Sequence, residues 1–167
     1  MTQGLPRTDP ARLRKQGLTI AAVIVVLDQV TKWWILTQVM NPPKVIELAP
    51  FANLVLVWNR GVSFGLFNTG SPFTPWILSG LATAVSVFLL IWMVRQADPW
   101  VTRGIGLIVG GAVGNIIDRL IHGAVLDFID LHAAGHHWPA FNVADSAITV
   151  GAAVLILDTL FQRDKSS

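Results

Sequence analysis

Five aspartates, Asp28, Asp118, Asp127, Asp145 and Asp158, stand in or beside apolar stretches of this sequence. A carboxyl group at membrane depth is costly and marks a candidate site for proton transfer. Asp127 lies in Val125-Leu126-Asp127-Phe128, whose apolar side chains hold the backbone against lipid or protein. Asp145 lies about one turn into an apolar run that follows Pro139 and Asn142, so the two acids can meet at one depth. Two acids sharing a site cannot both ionise easily, and the pair then holds a single proton. Such a pair is acid and base together. One member takes a proton from water as it attacks a peptide carbonyl, while the other polarises the carbonyl oxygen and later supplies the leaving amine. On spacing alone, two unrelated interfacial carboxylates remain the competing reading.

The other polar residues have simpler accounts. Asp28 and Lys32 are four apart on one helix face, in the favourable acid-before-base order, and read as a structural ion pair. Asn115, Asp118 and Arg119 occupy positions i, i+3 and i+4, so the amide can meet either charged neighbour, while Asp118 and Arg119 each bond a different outer segment or helix end. His132, His136 and His137 lie near Asp130, but they lack the helical HExxH spacing and read as solvated loop histidines; no metal is expected. Asp158 has no partner legible in the sequence. Cysteine is absent, which excludes disulfides, thiolate metal sites and cysteine nucleophiles by count.

The elements that must position these groups follow from composition. Of the 167 residues, 53% are hydrophobic and 13% charged, well below the roughly 25% charged residues of soluble domains. The apolar excess falls in blocks long enough for helices to cross a hydrocarbon core, which takes about 20 residues. Four spans are predicted, at about 18–36, 76–94, 101–121 and 141–160. The first continues through Trp33 and Trp34 without a small-residue cleavage site, and so reads as a retained span rather than a signal peptide.

Arg7, Arg12, Arg14, Lys15, Arg95, Arg103, Arg163 and Lys165 fall on one side, against Lys32, Lys44, Arg60 and Arg119 toward the other. The bias predicts both termini in the cytoplasm. Trp33, Trp34, Trp76, Trp92 and Trp100 fall near predicted interfaces. The outer segment 41–71, with Pro42, Pro43 and Pro50 before Leu54-Val55-Leu56-Val57-Trp58, predicts turns and short strands forming a small sheet. The second outer segment, 122–139, is expected to be extended at Val125–Ile129 and a loop at Ala133–His137. Gly106, Gly110 and Gly114 at four-residue spacing, with Gly111, let another helix approach span three closely. A net charge of +2 without a concentrated basic face gives no nucleic-acid footprint.

Taken together, the motifs resemble those of the lipoprotein signal peptidase (signal peptidase II) family over most of the chain. They are Asp28-Gln29-Val30-Thr31-Lys32, Asn59-Arg60-Gly61-Val62-Ser63-Phe64, the run from Gly111 through Asn115 to Asp118-Arg119, Val125-Leu126-Asp127-Phe128, and Phe141-Asn142-Val143-Ala144-Asp145-Ser146, in the family's order. Arg60, Val62 and Ser63 depart from the small residues of that motif.

The resemblance implies that Asp127 and Asp145 are a catalytic pair. It assigns support or substrate binding to Asp28, Lys32, Asn59, Gly61, Asn115, Asp118, Arg119, Asn142 and Ala144. It implies a bacterial prolipoprotein substrate bearing a diacylglyceryl-modified cysteine, cut on that cysteine's N-terminal side, with no cofactor. The expected protein is an all-α integral membrane peptidase of one domain, 1–167, with four transmembrane helices and a small extracytoplasmic β-sheet between spans one and two. It is expected to work as a monomer among the lipids of the bacterial cytoplasmic (inner) membrane, with no nucleic-acid partner.

Overall fold

A computed structural model describes residues 9–61 and 73–164 of the chain, with side chains described as far as Phe161 in the last helix. Arg7, Val62, Ser63, Phe64 and Lys165, the side chain of Arg163 and the remainder of the outer segment to Ser71 lie outside the described residues.

The helices are α1 (Pro10–Trp34), continued by a π-helical turn over Ile35–Val39, α2 (Thr74–Val94), α3 (Pro99–His122) and α4 (Val143–Asp164). Each is long and apolar enough to cross a membrane. The helix starts depart from expectation by two to eight residues, and two of these departures have identifiable reasons. The first helix starts at Pro10 rather than Leu18 because the Asp9 side chain accepts from Ala11 N and Pro10 occupies the first turn, where its missing N–H costs nothing. The last starts at Val143 because Phe141 is still bridged to Ile129. Asp98 caps α3 by accepting from Trp100 N and Val101 N, and Gly123, at φ +69°, ends it in a left-handed conformation suited to glycine.

The bundle is organised around α3, which packs against α1, α2 and α4. Its glycines set the spacing. A Cβ on Gly106 would lie 2.5 Å from Gly17 O of α1, and one on Gly114 would lie 2.5 Å from Asp28 Oδ2. The glycine face is therefore covered by α1 of the same chain. Outward, Trp33, Trp34, Trp76 and Trp100 are exposed along with many Leu, Val, Ile and Phe side chains, as expected of helices surrounded by lipid.

The sheet corrects the sequence reading. Strands β1 (Ile46–Ala49) and β2 (Ala52–Asn59) come from the first outer segment, but β3 (Val125–Ala133) and β4 (His136–His137) come from the second. All neighbours are antiparallel, in the order β1-β2-β3-β4. The sheet thus joins both outer segments instead of lying only between spans one and two. The expected loop at Ala133–His137 is a tight hairpin, with Ala134 and Gly135 at positive φ. The pairing of Asn59 with Val125 and of Val57 with Asp127 carries β2 alongside the start of β3. Beneath the sheet, Ile35, Met40 and Phe128 form a small buried cluster.

Candidate active site

Two polar layers lie where the outer ends of the helices meet the sheet. In the first, Lys32 Nζ lies 2.8 Å from Asp28 Oδ2 and 2.9 Å from Asp118 Oδ2. All three residues are buried. The expected Asp28–Lys32 pair is therefore one edge of a three-residue cluster. Gln29 Nε2 donates to Asp28 Oδ2, Asp118 Oδ1 and Gly114 O. The remaining contacts hold other segments: Ala144 N donates to Asp28 Oδ1 at 3.0 Å, and Leu126 N to Asp118 Oδ2 at 3.0 Å. Residues 144 and 126 immediately precede Asp145 and Asp127. The ion cluster consequently fixes the backbone beside each of the two acids.

The second layer is built from amides. Asn142 caps α4: its Oδ1 accepts from Asp145 N at 2.9 Å, while Asp145 Oδ2 accepts from Asn142 N at 3.2 Å. This reciprocal arrangement satisfies two orphan donors at the helix start and fixes the Asp145 side chain. Asn142 Nδ2 also donates to Asp127 Oδ1 at 2.7 Å. A single asparagine therefore touches both acids. Asn115 Nδ2 donates to Asp145 Oδ1 at 2.8 Å, and Asn115 Oδ1 accepts from Lys32 and Asn142. Asn59 Nδ2 donates to Asp127 Oδ2 at 3.0 Å, and Asn59 Oδ1 accepts from Gly61 N.

Asp127 and Asp145 line one cavity of about 200 Å³, together with Asn59, Gly61, Asn115 and Arg119. Its apolar side is formed by Ala82, Ala112, Val125 and Ile148. Burial, then the charge of Asp145, pushes the Asp127 carboxyl up to about 7, against the opposing hydrogen bonds from Asn59 and Asn142 and the charge of Lys32. Arg119 interacts electrostatically with Asp145, Asp127 and Asp118. Its Nη1 donates to Asn115 O, and its buried Nε has no hydrogen-bond partner among the described residues.

The structure brings all eleven sequence-predicted site residues to these two layers. Asn115 is the exception in detail. Its amide bonds Lys32, Asn142 and Asp145 rather than its helix neighbours Asp118 and Arg119, because tertiary partners reach it from α1 and α4. Gln29, Ala82, Ala112, Val125 and Ile148 were not singled out as site residues; only Gln29, inside the Asp28–Lys32 motif, carried a signal of a polar role.

The histidines form a separate outer group. His137 Nδ1 lies 2.9 Å from both Asp130 carboxylate oxygens, Asn53 donates to Asp130, and His137 stacks on His132. Burial raises Asp130, but the His137 and Asn53 hydrogen bonds and the histidine charges outweigh it and hold the carboxyl below its usual value. Among the described residues, no three His, Asp or Glu side chains converge in a metal-binding group.

The family model described as signal peptidase (SPase) II matches residues 20–161. The chain is 47% identical over 148 residues to the lipoprotein signal peptidase of Methylobacterium sp. (strain 4-46), covering 88% of this chain and 90% of that relative. It is 45% identical over 156 residues to the lipoprotein signal peptidase of Rhodopseudomonas palustris, covering 90% and 93%. A solved bacterial membrane enzyme, determined by the in meso method, superposes with a TM-score of 0.78 at 31% identity, covering 90% of this chain and 91% of the other.

Proposed function

This chain belongs to the signal peptidase II family, and from that premise we propose that it is an aspartyl endopeptidase that removes signal peptides from diacylglyceryl-modified bacterial prolipoproteins. The cut falls on the N-terminal side of the lipidated cysteine. The observation that carries this reading is the shared cavity of Asp127 and Asp145, joined through Asn142.

Asp127, with its raised proton affinity, is the member that carries the proton below about pH 7 and polarises the scissile carbonyl oxygen. Asp145 takes a proton from the attacking water, whose oxygen bonds to the carbonyl carbon. As the C–N bond breaks, the proton passes to the leaving amine. The products are the signal peptide with a new carboxylate and the lipoprotein with a free amine on its modified cysteine. Arg119 and Asn59 face the same cavity and hold the carbonyl-rich peptide backbone there. Lys32, Asp28 and Asp118 position the acids through Ala144 and Leu126, and Gly61 orients Asn59.

The whole chain acts as one membrane-embedded peptidase domain and as a monomer. The Lys and Arg bias supports cytoplasmic termini, with the acids near the outer face of the inner membrane. A lipid-anchored substrate holds its scissile bond at that depth. The test is gel-shift cleavage of a purified precursor, with and without the diacylglyceryl group, by wild type, Asp127→Asn and Asp145→Asn. Processing of the lipidated precursor by wild type alone is expected. Equal processing of the unlipidated precursor counts against the substrate assignment, and full activity of either variant removes that acid from the mechanism.

A further inference from the structure

Asp127 and Asp145 are joined by a stretch of chain that leaves the cavity and returns to it. β3 runs on from Asp127, turns at Ala134 and Gly135, and comes back through β4 to Phe141, which is bridged to Ile129. The next residue is Asn142, whose side chain touches both acids. Where the returning stretch lies against β3 therefore sets where Asn142 lies against Asp127. Backbone pairing alone gives that stretch little hold. β4 is two exposed residues long, a bond from Trp138 N to Leu131 O follows it, and Pro139 has no N–H to donate.

A side-chain tie lies where the backbone pairing is weakest. Asp130 of β3 is buried, and both its carboxylate oxygens lie 2.9 Å from His137 Nδ1 of β4. Asn53 Nδ2 of β2 donates to Asp130 Oδ2 at 3.0 Å. Around the tie, His132 stacks on the His137 ring, and Glu47 of β1 is the sheet partner of Asn53. One carboxylate thus fastens three strands, and each strand leads to a group at the cavity. β2 leads to Asn59, which donates to Asp127 Oδ2; β3 carries Asp127 itself; and β4 leads to Asn142, which donates to Asp127 Oδ1.

We propose that Asp130 is a positioning residue, which through His137 and Asn53 holds β4 and β2 where Asn142 and Asn59 stay hydrogen-bonded to Asp127. It does not line the cavity and acts only through the strands. The inference rests on the proposed peptidase function. A misplacement of about 1 Å at reacting groups costs on the order of 100-fold in rate, so a partial loosening is expected to cost about tenfold. Loosening also has an electrostatic signature. The Asn59 and Asn142 hydrogen bonds oppose the rise that burial gives the Asp127 carboxyl, so weakening them raises it further, and the alkaline fall in turnover moves to higher pH.

The test uses the full-length enzyme and a lipidated precursor, with Asp130→Ala, His137→Ala and His137→Asn. The asparagine keeps an N–H donor close to the place of the imidazole Nδ1. Both alanine variants are expected to lower kcat about tenfold with KM within about twofold of wild type, and to move the alkaline fall upward from about pH 7. The pH at which that fall occurs does not depend on how much of a variant is folded. His137→Asn is expected to restore both kcat and the position of the fall. If the fall stays in place in the two alanine variants, or if His137→Asn does no better than His137→Ala while wild type cleaves the precursor, the inference fails alone. If wild type does not cleave it, the peptidase reading fails and this inference with it.

Discussion

The molecule buries carboxylates in two adjacent places and treats them differently. Asp28 and Asp118 share the ammonium of Lys32 at 2.8 and 2.9 Å, and Gln29, Ala144 N and Leu126 N supply further donors. Asp127 and Asp145 have amide donors only, and no cation within salt-bridge distance among the described residues. The first group resembles a fixed joint, since removing one partner of a buried ion pair leaves an uncompensated charge. The second has no cation to hold both carboxylates ionised, as the proposed sharing of one proton requires. On the proposed mechanism, charge compensation thus separates the structural acids from the catalytic pair, although the two groups meet at Ala144–Asp145 and Leu126–Asp127.

The largest effect is expected from Asp127→Asn or Asp145→Asn, each lowering kcat/KM on the order of 10⁴-fold, toward the upper end for loss of an acid–base group. Thermal unfolding in detergent should change little. Lys32→Met should cost about 3–5 kcal/mol of stability by stranding Asp28 and Asp118, read as a lowered thermal midpoint, with activity falling alongside it. Loss of activity at unchanged stability would move Lys32 from the joint into the chemistry.

Gly114→Ala sharpens the same contrast at closer range. Its Cβ would lie 2.5 Å from Asp28 Oδ2, so the carboxylate must shift, at a cost of about 1–3 kcal/mol. Because Asp28 holds Ala144 N, activity is expected to fall along with stability. An unchanged unfolding midpoint would contradict the close packing of α1 on α3.

The smallest effect is a pH response. The Asp127 carboxyl is raised to about 7, so its protonated form prevails below that value and is lost above it. The value of kcat/KM should therefore decline above about pH 7, by about tenfold per pH unit. A flat profile from pH 6 to 9 would show that Asp127 is not the proton-carrying member.

The helices were legible because a bilayer demands long apolar runs, and the charges interrupting those runs stood out. Asp28 with Lys32 was readable from i, i+4 spacing. The third member, Asp118, was not, because it arrives from a different helix. The same limit hid the joining of the two outer segments: β3 pairs with β2 across some seventy residues of chain, and local propensity says nothing of such partners. Asn115 shows the rule failing within one helix, where its side chain left its neighbours for α1 and α4. Asn142 was named from family resemblance, but its double role, capping α4 while holding Asp127, depends on the distance between a helix end and a strand.

Whether the two cavity-lining acids work as one unit is decided by a double-mutant comparison on the lipidated precursor. Asp127→Asn, Asp145→Asn and the doubly substituted enzyme should share one residual kcat/KM, since either loss disables the pair. Losses that multiply in the double variant, or a single variant within about tenfold of wild type, would contradict their joint action.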